Sequence, residues 1–277
     1  MVVQGSPKPL ARVQFLPPLP KNRILLFCFF WYNKYMKKIF LIIIIIMPLS
    51  VKAVTNYDSD GDGLSNLEEK NIYHTDPYNE DSDGDGYNDG LEINNNYSPI
   101  NIENKKLIEI DSDGDYLNDY WELILGTGLM NPDSDGDLYL DGTEVAASYN
   151  PLNTNNIKLE KLIKVNLDEQ KLEYFLGNNK LDSFSISSGI SGLDTPKGEF
   201  NVLDKVPVKH YGGWNFDYPN TKWNLHFLTQ KLRFYIHGAY WHKNFGNLMS
   251  HGCVNVSYDN MEPLYWFAQL GTKILIE

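Results

Sequence analysis

Four acidic loops in the first half of the chain constrain its folding more than any other feature. Residues 54–152 hold 24 acidic residues against three lysines, and most of the acids recur in one spacing. So many like charges repel one another in a compact structure unless cations neutralise them. A solvated acidic tail has no need of such periodicity. The sequence therefore predicts that this segment folds around bound cations.

The first loop reads Asp-Ser-Asp-Gly-Asp-Gly-Leu-Ser-Asn-Leu-Glu-Glu over residues 58–69. Oxygen-bearing side chains stand at positions 1, 3, 5, 9 and 12 with glycine at 6, which is the spacing of a twelve-residue calcium loop. We predict structural Ca²⁺ in four such loops. The predicted ligands are Asp58, Asp60, Asp62, Asn66 and Glu69; Asp81, Asp83, Asp85, Asp89 and Glu92; Asp111, Asp113, Asp115, Asp119 and Glu122; and Asp133, Asp135, Asp137, Asp141 and Glu144.

The third and fourth loops depart from this pattern at position 6, where Tyr116 and Leu138 replace glycine. Glycine suits the sharp turn at that position. We therefore expect these two loops to be strained, differently shaped or weaker.

The loops begin 23, 30 and 22 residues apart, which is too close for full helix-loop-helix pairs throughout. This spacing, together with Thr-Asp-Pro at residues 75–77 and Asn-Pro-Asp-Ser-Asp-Gly-Asp at residues 131–137, resembles bacterial thrombospondin type 3 repeats. The resemblance implies short loops and turns around calcium, used as a spacer or an adhesive stalk that contacts a cell-wall or envelope protein. Dockerin modules use similar half-loops, but they come as a pair.

The N-terminal residues 1–53 carry eight basic residues and no acid. From Met36 the chain reads Met-Lys-Lys, an apolar run over residues 39–47, and a stretch ending in Ala53, which is the pattern of a secretory signal peptide. We predict a start at Met36, cleavage after Ala53, and export to the periplasm or cell wall. A single uncleaved anchor that also uses the apolar residues 24–32 is the alternative. Processing would remove Cys28 and leave Cys253 without a disulfide partner.

The charge changes sharply after the acidic loops. Residues 153–277 contain 12 acidic and 13 basic residues, so the predicted organisation is 1–53 signal peptide, 54–152 calcium-binding repeats and 153–277 catalytic domain. The chain lacks the basic stripe of a nucleic-acid-binding protein. Because the apolar residues between the loops are few, metal binding is expected to supply much of their folding energy. A chelator is expected to unfold residues 54–152 and to leave the catalytic domain folded.

Residues 153–277 show the alternation and frequent turns of a small β domain. Strands are predicted in the second half of 157–167 and at 171–176, 183–188, 199–203 and 232–237. One helix is predicted near the end, capped by Asp259 or Asn260 and stopped by Gly271. The predicted fold class is therefore mainly β, preceded by a repeat segment with little regular secondary structure.

The lone Cys253 lies in Ser-His-Gly-Cys-Val-Asn at residues 250–255, twelve residues after the Ile-His-Gly of residues 236–238. A thiol beside imidazoles has a base to take its proton and neighbours that stabilise the anion, so a depressed thiol pKa is expected. A buried structural cysteine is the alternative. One cysteine with scattered histidines does not make a zinc site, and no catalytic cofactor is expected.

These residues, with the Thr-Pro-Lys-Gly at 195–198, resemble the L,D-transpeptidase catalytic domain over residues 158–277. The resemblance implies a β-sandwich-like fold and a cysteine that attacks a peptidoglycan stem peptide. D-alanine leaves, a thioester forms, and an amine on a second stem or on a protein resolves it. The implied catalytic residues are Cys253 as nucleophile, His237 as base, and His251 and Gly252 shaping the site; the implied substrate contacts are Ser250, Asn255 and Gly238.

Two other functions use the same residues. An L,D-carboxypeptidase would resolve the thioester with water, and a calcium-dependent wall-binding or adhesion protein would carry an inactive catalytic domain. His210, His226 and His242 have no supporting spacing and are interpreted as structural. The aromatic residues between Tyr211 and Trp241 are predicted to form a lid, a sugar-stacking wall or part of the core.

Overall fold

The computed structural model describes residues 57–213 and 216–277. The predicted signal peptide, its start at Met36 and Cys28 lie outside these ranges. Within them, no helix combines the length and the hydropathy that crossing a bilayer requires.

The repeat segment consists of turns and short helices that follow the acidic loops. Its helices are α1 (Asn66–Glu68), continued by a π-helical turn (Glu69–Tyr73), α2 (Asp89–Asn94), a 3-10 turn (Leu107–Glu109), α3 (Asp119–Leu125) and α4 (Asp141–Ala146). The side chains of Asn88 and Asn118 accept hydrogen bonds at the starts of α2 and α3. Helices this short are not stable by themselves. The sequence-based expectation of little regular structure is confirmed.

The second half of the chain forms two sheets. One sheet has the strand order β3-β2-β1-β9-β4 and the other β5-β6-β7-β8. The strands are β1 (Lys161–Asn166), β2 (Lys171–Leu176), β3 (Asn179–Ser185), β4 (Gly198–Asn201), β5 (Asp204–Gly212), β6 (Asp217–Thr229), β7 (Arg233–Gly238), β8 (Val254–Val256) and β9 (Lys273–Ile276). Helix α5 (Tyr258–Phe267) follows β8 directly.

Alternating apolar side chains from both sheets meet in one core. In β1 the side chains of Ile163 and Val165 are fully buried, while Leu225 and Ile236 contribute from the second sheet. Met261 and its neighbours on α5 complete this core. The predicted mainly β, sandwich-like fold class is confirmed.

Several elements differ from their predictions. The long β5–β6 hairpin and the strands β8 and β9 were not predicted, because β5 and β6 are rich in polar and aromatic residues and β8 and β9 are very short. Helix α5 has Ser257 as its N-cap, not Asp259 or Asn260, and ends at Phe267, before Gly271. Ser257 takes that position because its extended backbone leaves the strand just before the helical turn begins.

The repeat segment contributes side chains to the core of the sandwich. Leu117, Trp121, Leu125 and Val145 belong to the same cluster of buried residues as the sheets. The Trp121 ring lies edge-on to Tyr174, with ring centroids 6.0 Å apart. Unfolding of residues 54–152 would therefore expose part of the core of the second half, and the expectation that this half stays folded with a chelator remains a prediction.

Candidate active site and candidate metal sites

The imidazole of His237 is held in one tautomer. His237 stands near the end of β7, and its Nδ1 lies 2.9 Å from the Gly238 carbonyl oxygen, which can only accept a hydrogen bond. Nδ1 therefore carries the hydrogen, and Nε2 keeps a lone pair that can take a proton. Burial lowers the pKa of His237 to about 4, so the ring is neutral at neutral pH.

Cys253 lies beside β7 because β8 pairs with that strand in parallel. The register places Val254 opposite Ile236 and Asn255 opposite His237. Cys253 stands in the bend directly before β8, and Asn255 pairs with His237, so the two predicted catalytic residues are attached to neighbouring strands. The roles of nucleophile and base stay predictions.

The environment of the Cys253 thiol differs from the expected one. Burial raises the pKa of Cys253 to about 11, against the smaller opposite effects of the Tyr235 backbone amide and of Lys209. The expected depression of the thiol pKa is therefore wrong for this geometry, because desolvation of the thiolate outweighs its stabilising neighbours. Thiol and imidazole both rest in their neutral forms.

This pair of pKa shifts leads to a prediction on thiol reactivity. Since the thiol pKa lies far above neutrality, the thiolate fraction should rise about tenfold per pH unit from about pH 7 to about pH 10. Alkylation of Cys253 by iodoacetamide, measured by mass spectrometry of the peptide that contains it, should follow the same slope. A rate that levels off below about pH 8 would instead show a depressed pKa, as the sequence suggested.

The turn before Cys253 depends on Ser250 and Gly252. The Ser250 hydroxyl donates to the Cys253 carbonyl oxygen at 2.5 Å and accepts from the Gly252 amide at 3.1 Å. Gly252 has φ +111°, and a Cβ there would lie 2.8 Å from the Phe234 ring, so only glycine fits. Ser250 therefore closes the turn, and its predicted contact with the substrate stays a prediction.

The predicted upstream turn also reaches this point. The Thr195 hydroxyl contacts the Cys253 carbonyl oxygen at 3.4 Å and accepts from the Gly189 amide at 2.9 Å. The Thr-Pro-Lys-Gly segment thus supports the backbone that carries the thiol.

The remaining predicted residues stand around this centre. His251 is exposed and packs against Phe216, with ring centroids 4.7 Å apart. Gly238 uses its carbonyl to hold His237, and a Cβ there would lie 2.5 Å from a Tyr258 ring carbon. The Asn255 side-chain nitrogen lies 3.1 Å from His242 Nε2, so His242 adjoins the site although its spacing gave no indication of it.

Aromatic side chains of the β5–β6 hairpin form one wall of the site. The Tyr211 ring stacks on His237 with centroids 4.5 Å apart, and Tyr218 stacks on Trp241 at 3.8 Å. The Tyr211 hydroxyl donates to Asn224. The density of aromatic residues in this stretch was the available signal, but nothing in the sequence showed that the hairpin folds over His237.

The first three aspartates of each acidic loop converge. In all four loops, one ligand atom from each of these aspartates lies within 4.8 Å of the other two. These triplets are Asp58, Asp60 and Asp62; Asp81, Asp83 and Asp85; Asp111, Asp113 and Asp115; and Asp133, Asp135 and Asp137. This is the convergence that a hard cation requires.

The glutamates at position 12 are buried toward these triplets. Glu69, Glu92, Glu122 and Glu144 are at most 3% exposed, and each has at least one carboxylate oxygen without a hydrogen-bond partner among the described residues. Burial and the neighbouring aspartates raise the pKa of Glu122 to about 9. Buried, unpartnered carboxylate oxygens are costly unless a cation binds them, so the donor set fits Ca²⁺.

The residues at position 9 form hydrogen bonds within their own loops. Both carboxylate oxygens of Asp89 accept hydrogen bonds from Ser82, and those of Asp119 do so from Ser112. Asn66 and Asp141 each accept from the amide of the equivalent serine. These four residues close their loops, and direct ligation by them stays a prediction.

The third and fourth loops have the same shape as the first two. Tyr116 (φ +78°) and Leu138 (φ +80°) adopt the left-handed conformation in which Gly63 has φ +102° and Gly86 φ +99°. In each loop the amide at position 6 donates to the aspartate at position 1. The expectation of a different shape is wrong, whereas the expected strain is present because a side chain occupies this region.

Comparison with known proteins gives two family matches. Residues 160–276 match the L,D-transpeptidase catalytic domain, and residues 58–80, 81–96 and 111–127 match the bacterial TSP3 repeat. The chain is 25% identical over 134 residues to the putative L,D-transpeptidase YqjB of Bacillus subtilis (strain 168), covering 46% of this chain and 76% of that protein.

Solved structures similar to this one include two L,D-transpeptidases. An L,D-transpeptidase from Mycobacterium smegmatis has 26% identity and a TM-score of 0.40, with 44% of this chain and 60% of that chain covered. A mutant of the Enterococcus faecium L,D-transpeptidase has 24% identity and a TM-score of 0.40, with 43% and 50% covered. The chain therefore spans little more than half the length of these structures.

Proposed function

We propose a thiol acyl-transfer mechanism for this chain, on the premise that residues 160–276 form an L,D-transpeptidase catalytic domain. The observation that supports it best is the fixed tautomer of His237, whose Nδ1 donates to Gly238 and whose Nε2 remains free for a proton. The substrate class is the peptidoglycan stem peptide, on which L,D-transpeptidases act. This substrate implies an extracytoplasmic location, and we propose export through the signal peptide of residues 1–53.

In the acylation step, the Cys253 sulfur attacks the carbonyl carbon of the third-position diamino acid. His237 Nε2 takes the thiol proton and then gives it to the departing amine of D-alanine. The carbon–nitrogen bond breaks, and a thioester joins the stem peptide to Cys253. Since thiol and imidazole are both neutral beforehand, proton transfer accompanies the attack instead of preceding it.

The developing oxyanion needs backbone donors near the thiol. The Gly252 amide is already used by the Ser250 hydroxyl, so it is a poor candidate. The Cys253 amide has no hydrogen-bond acceptor within the described part of the chain, and we assign it this role. One such donor typically contributes about 3 kcal/mol to catalysis.

In the second step an amine acceptor attacks the thioester. His237 Nε2 takes a proton from the amine, the new amide bond forms, and the Cys253 sulfur leaves and recovers the proton. The aromatic wall around Tyr211 and Trp241 suits this outcome, since it limits water at the thioester and favours transfer over hydrolysis. Water as acceptor would make the protein an L,D-carboxypeptidase.

We further propose that the repeat segment binds structural Ca²⁺. The ligands are the aspartates at positions 1, 3 and 5 and the glutamate at position 12 of each loop. A bound cation neutralises the buried carboxylates and has no part in the acyl transfer. Through its exposed faces the segment is proposed to contact the cell wall or an envelope protein.

Intact mass measurement after incubation with a stem tetrapeptide tests the proposed function. An adduct that has lost D-alanine, and that becomes cross-linked product when a diamino acid acceptor is added, is the expected result. An adduct that only hydrolyses with the acceptor present would identify a carboxypeptidase. No adduct in the presence of calcium would contradict acyl transfer and favour a wall-binding protein.

A further inference from the structure

We propose that the cations of the third and fourth acidic loops hold together the core of the catalytic domain. This inference rests on the calcium sites proposed above. According to this inference, the third and fourth loops stabilise the catalytic domain, whereas the first and second loops do not.

The fourth loop has its own buried ligand. Glu144 is 3% exposed, and both of its carboxylate oxygens lack a hydrogen-bond partner among the described residues. Glu144 is position 12 of the loop in which ligand atoms of Asp133, Asp135 and Asp137 lie within 4.8 Å of one another. A buried carboxylate without a hydrogen-bond partner is unfavourable by itself, and a divalent cation bound to it and to the aspartates removes this cost.

Helix α4 depends on that cation for its start. The helix has only six residues, and no side chain caps its N-terminus at Leu140. Asp141 and Glu144, which are positions 9 and 12 of the fourth loop, stand in the first turn of α4. Since so short a helix is not stable alone, the loop that fixes its first turn decides whether it forms.

The far end of α4 is bound to the catalytic core. Val145 is buried in the common core, and the Ala146 carbonyl accepts a hydrogen bond of 3.1 Å from Lys161 Nζ. The same ammonium group donates to the Phe267 carbonyl at 2.9 Å. Lys161 begins β1 and Phe267 ends α5, so one buried lysine joins the repeat segment to a strand and to the helix of the catalytic domain.

The third loop is bound to the fourth and to the same core. The Asp115 carboxylate accepts from the Gly142 amide at 2.9 Å, and a Cβ on Gly142 would lie 2.5 Å from the Asp115 carbonyl oxygen. In α3, which follows the third loop, Trp121 packs edge-on against both Tyr174 and Phe267 at 6.0 Å. The two loops thus form one unit that covers the core.

The first two loops provide an internal comparison. They pair in the same manner, since the Gly90 amide donates to the Asp62 carboxylate at 2.8 Å. However, the apolar residues of the repeat segment that pack in the common core all lie between residues 108 and 145. Loss of a cation from the first pair should therefore leave the catalytic core as it is.

The test compares Glu144→Gln with Glu69→Gln in the full chain at millimolar calcium. Both glutamates are buried position-12 residues, and each change removes one charge at nearly constant volume. Native mass spectrometry counts the bound calcium ions, and hydrogen exchange by mass spectrometry follows the peptides of β1 and α5. Asp135→Asn is a second variant of the fourth loop, in case Glu144→Gln fails to fold.

We expect each variant to lose one calcium ion. Exchange in β1 and α5 should accelerate at least about tenfold in the fourth-loop variants and stay unchanged in Glu69→Gln. An unchanged ion count in both fourth-loop variants would overturn the fourth site. A lost ion without faster exchange would overturn the coupling while leaving the calcium sites intact. If the wild type binds no calcium, the proposed repeat function itself fails.

Discussion

Replacement of Cys253 by alanine is expected to abolish acylation by a stem tetrapeptide. No other group near His237 can form the thioester, and loss of a nucleophile typically lowers turnover by roughly four to six orders of magnitude. The side chain is small and the surrounding turn is held by Ser250, Thr195 and the β8 pairing, so the fold should remain. Intact mass with substrate and thermal unfolding without it measure the two effects.

Cys253→Ser serves as the matched variant. It replaces the thiol by a hydroxyl of similar size at the same position. A serine hydroxyl is a far weaker acid than a thiol, and His237 is a weak base here. We therefore expect the serine variant to be inactive as well and as stable as the wild type. Cross-linked product from the alanine variant at the wild-type rate would rule out the thioester mechanism.

Trp121→Ala should destabilise the catalytic domain although Trp121 belongs to the repeat segment. Its ring is 6% exposed and packs against Tyr174 and Phe267. Truncating a buried tryptophan to alanine typically costs about 3 to 5 kcal/mol. Denaturant unfolding at saturating calcium, followed by circular dichroism and by loss of acylation activity, measures this change.

Tyr116→Ala is the control, since Tyr116 belongs to the same loop but is 80% exposed. A surface change of this kind should alter the free energy of unfolding by less than about 0.5 kcal/mol. If Trp121→Ala changed only the unfolding of the repeat segment, and acylation persisted to the same denaturant concentration as in the wild type, the two parts would be independent domains.

The local parts of both sites could be predicted from the sequence. Calcium-loop ligands lie within twelve consecutive residues, so their convergence follows from short-range geometry. The Ser-His-Gly-Cys turn is likewise local, and its glycine has a positive φ that a side chain would not tolerate. The structure brings Asp58, Asp60 and Asp62 together, as the spacing implied.

What depends on distant contacts could not be predicted. The raised pKa of Cys253 arises from burial, which is a property of the assembled sheets. The stacking of Tyr211 on His237 depends on a hairpin whose polar and aromatic residues carry no clear strand signal. The sequence places Trp121 in the acidic repeat segment. No local pattern shows that its ring packs against Tyr174, more than fifty residues later.

The position of β9 determines when the catalytic domain can be assembled. This strand lies between β1 and β4, pairing Ile163 with Ile274 and Phe200 with Ile274 on its two sides. The centre of the sheet thus joins segments about a hundred residues apart, a pairing with a high contact order that slows folding. Until β9 is available, β1 and β4 lack the strand that pairs with both of them. The five-stranded sheet, and with it the core between the two sheets, is therefore complete only after β9 has joined it.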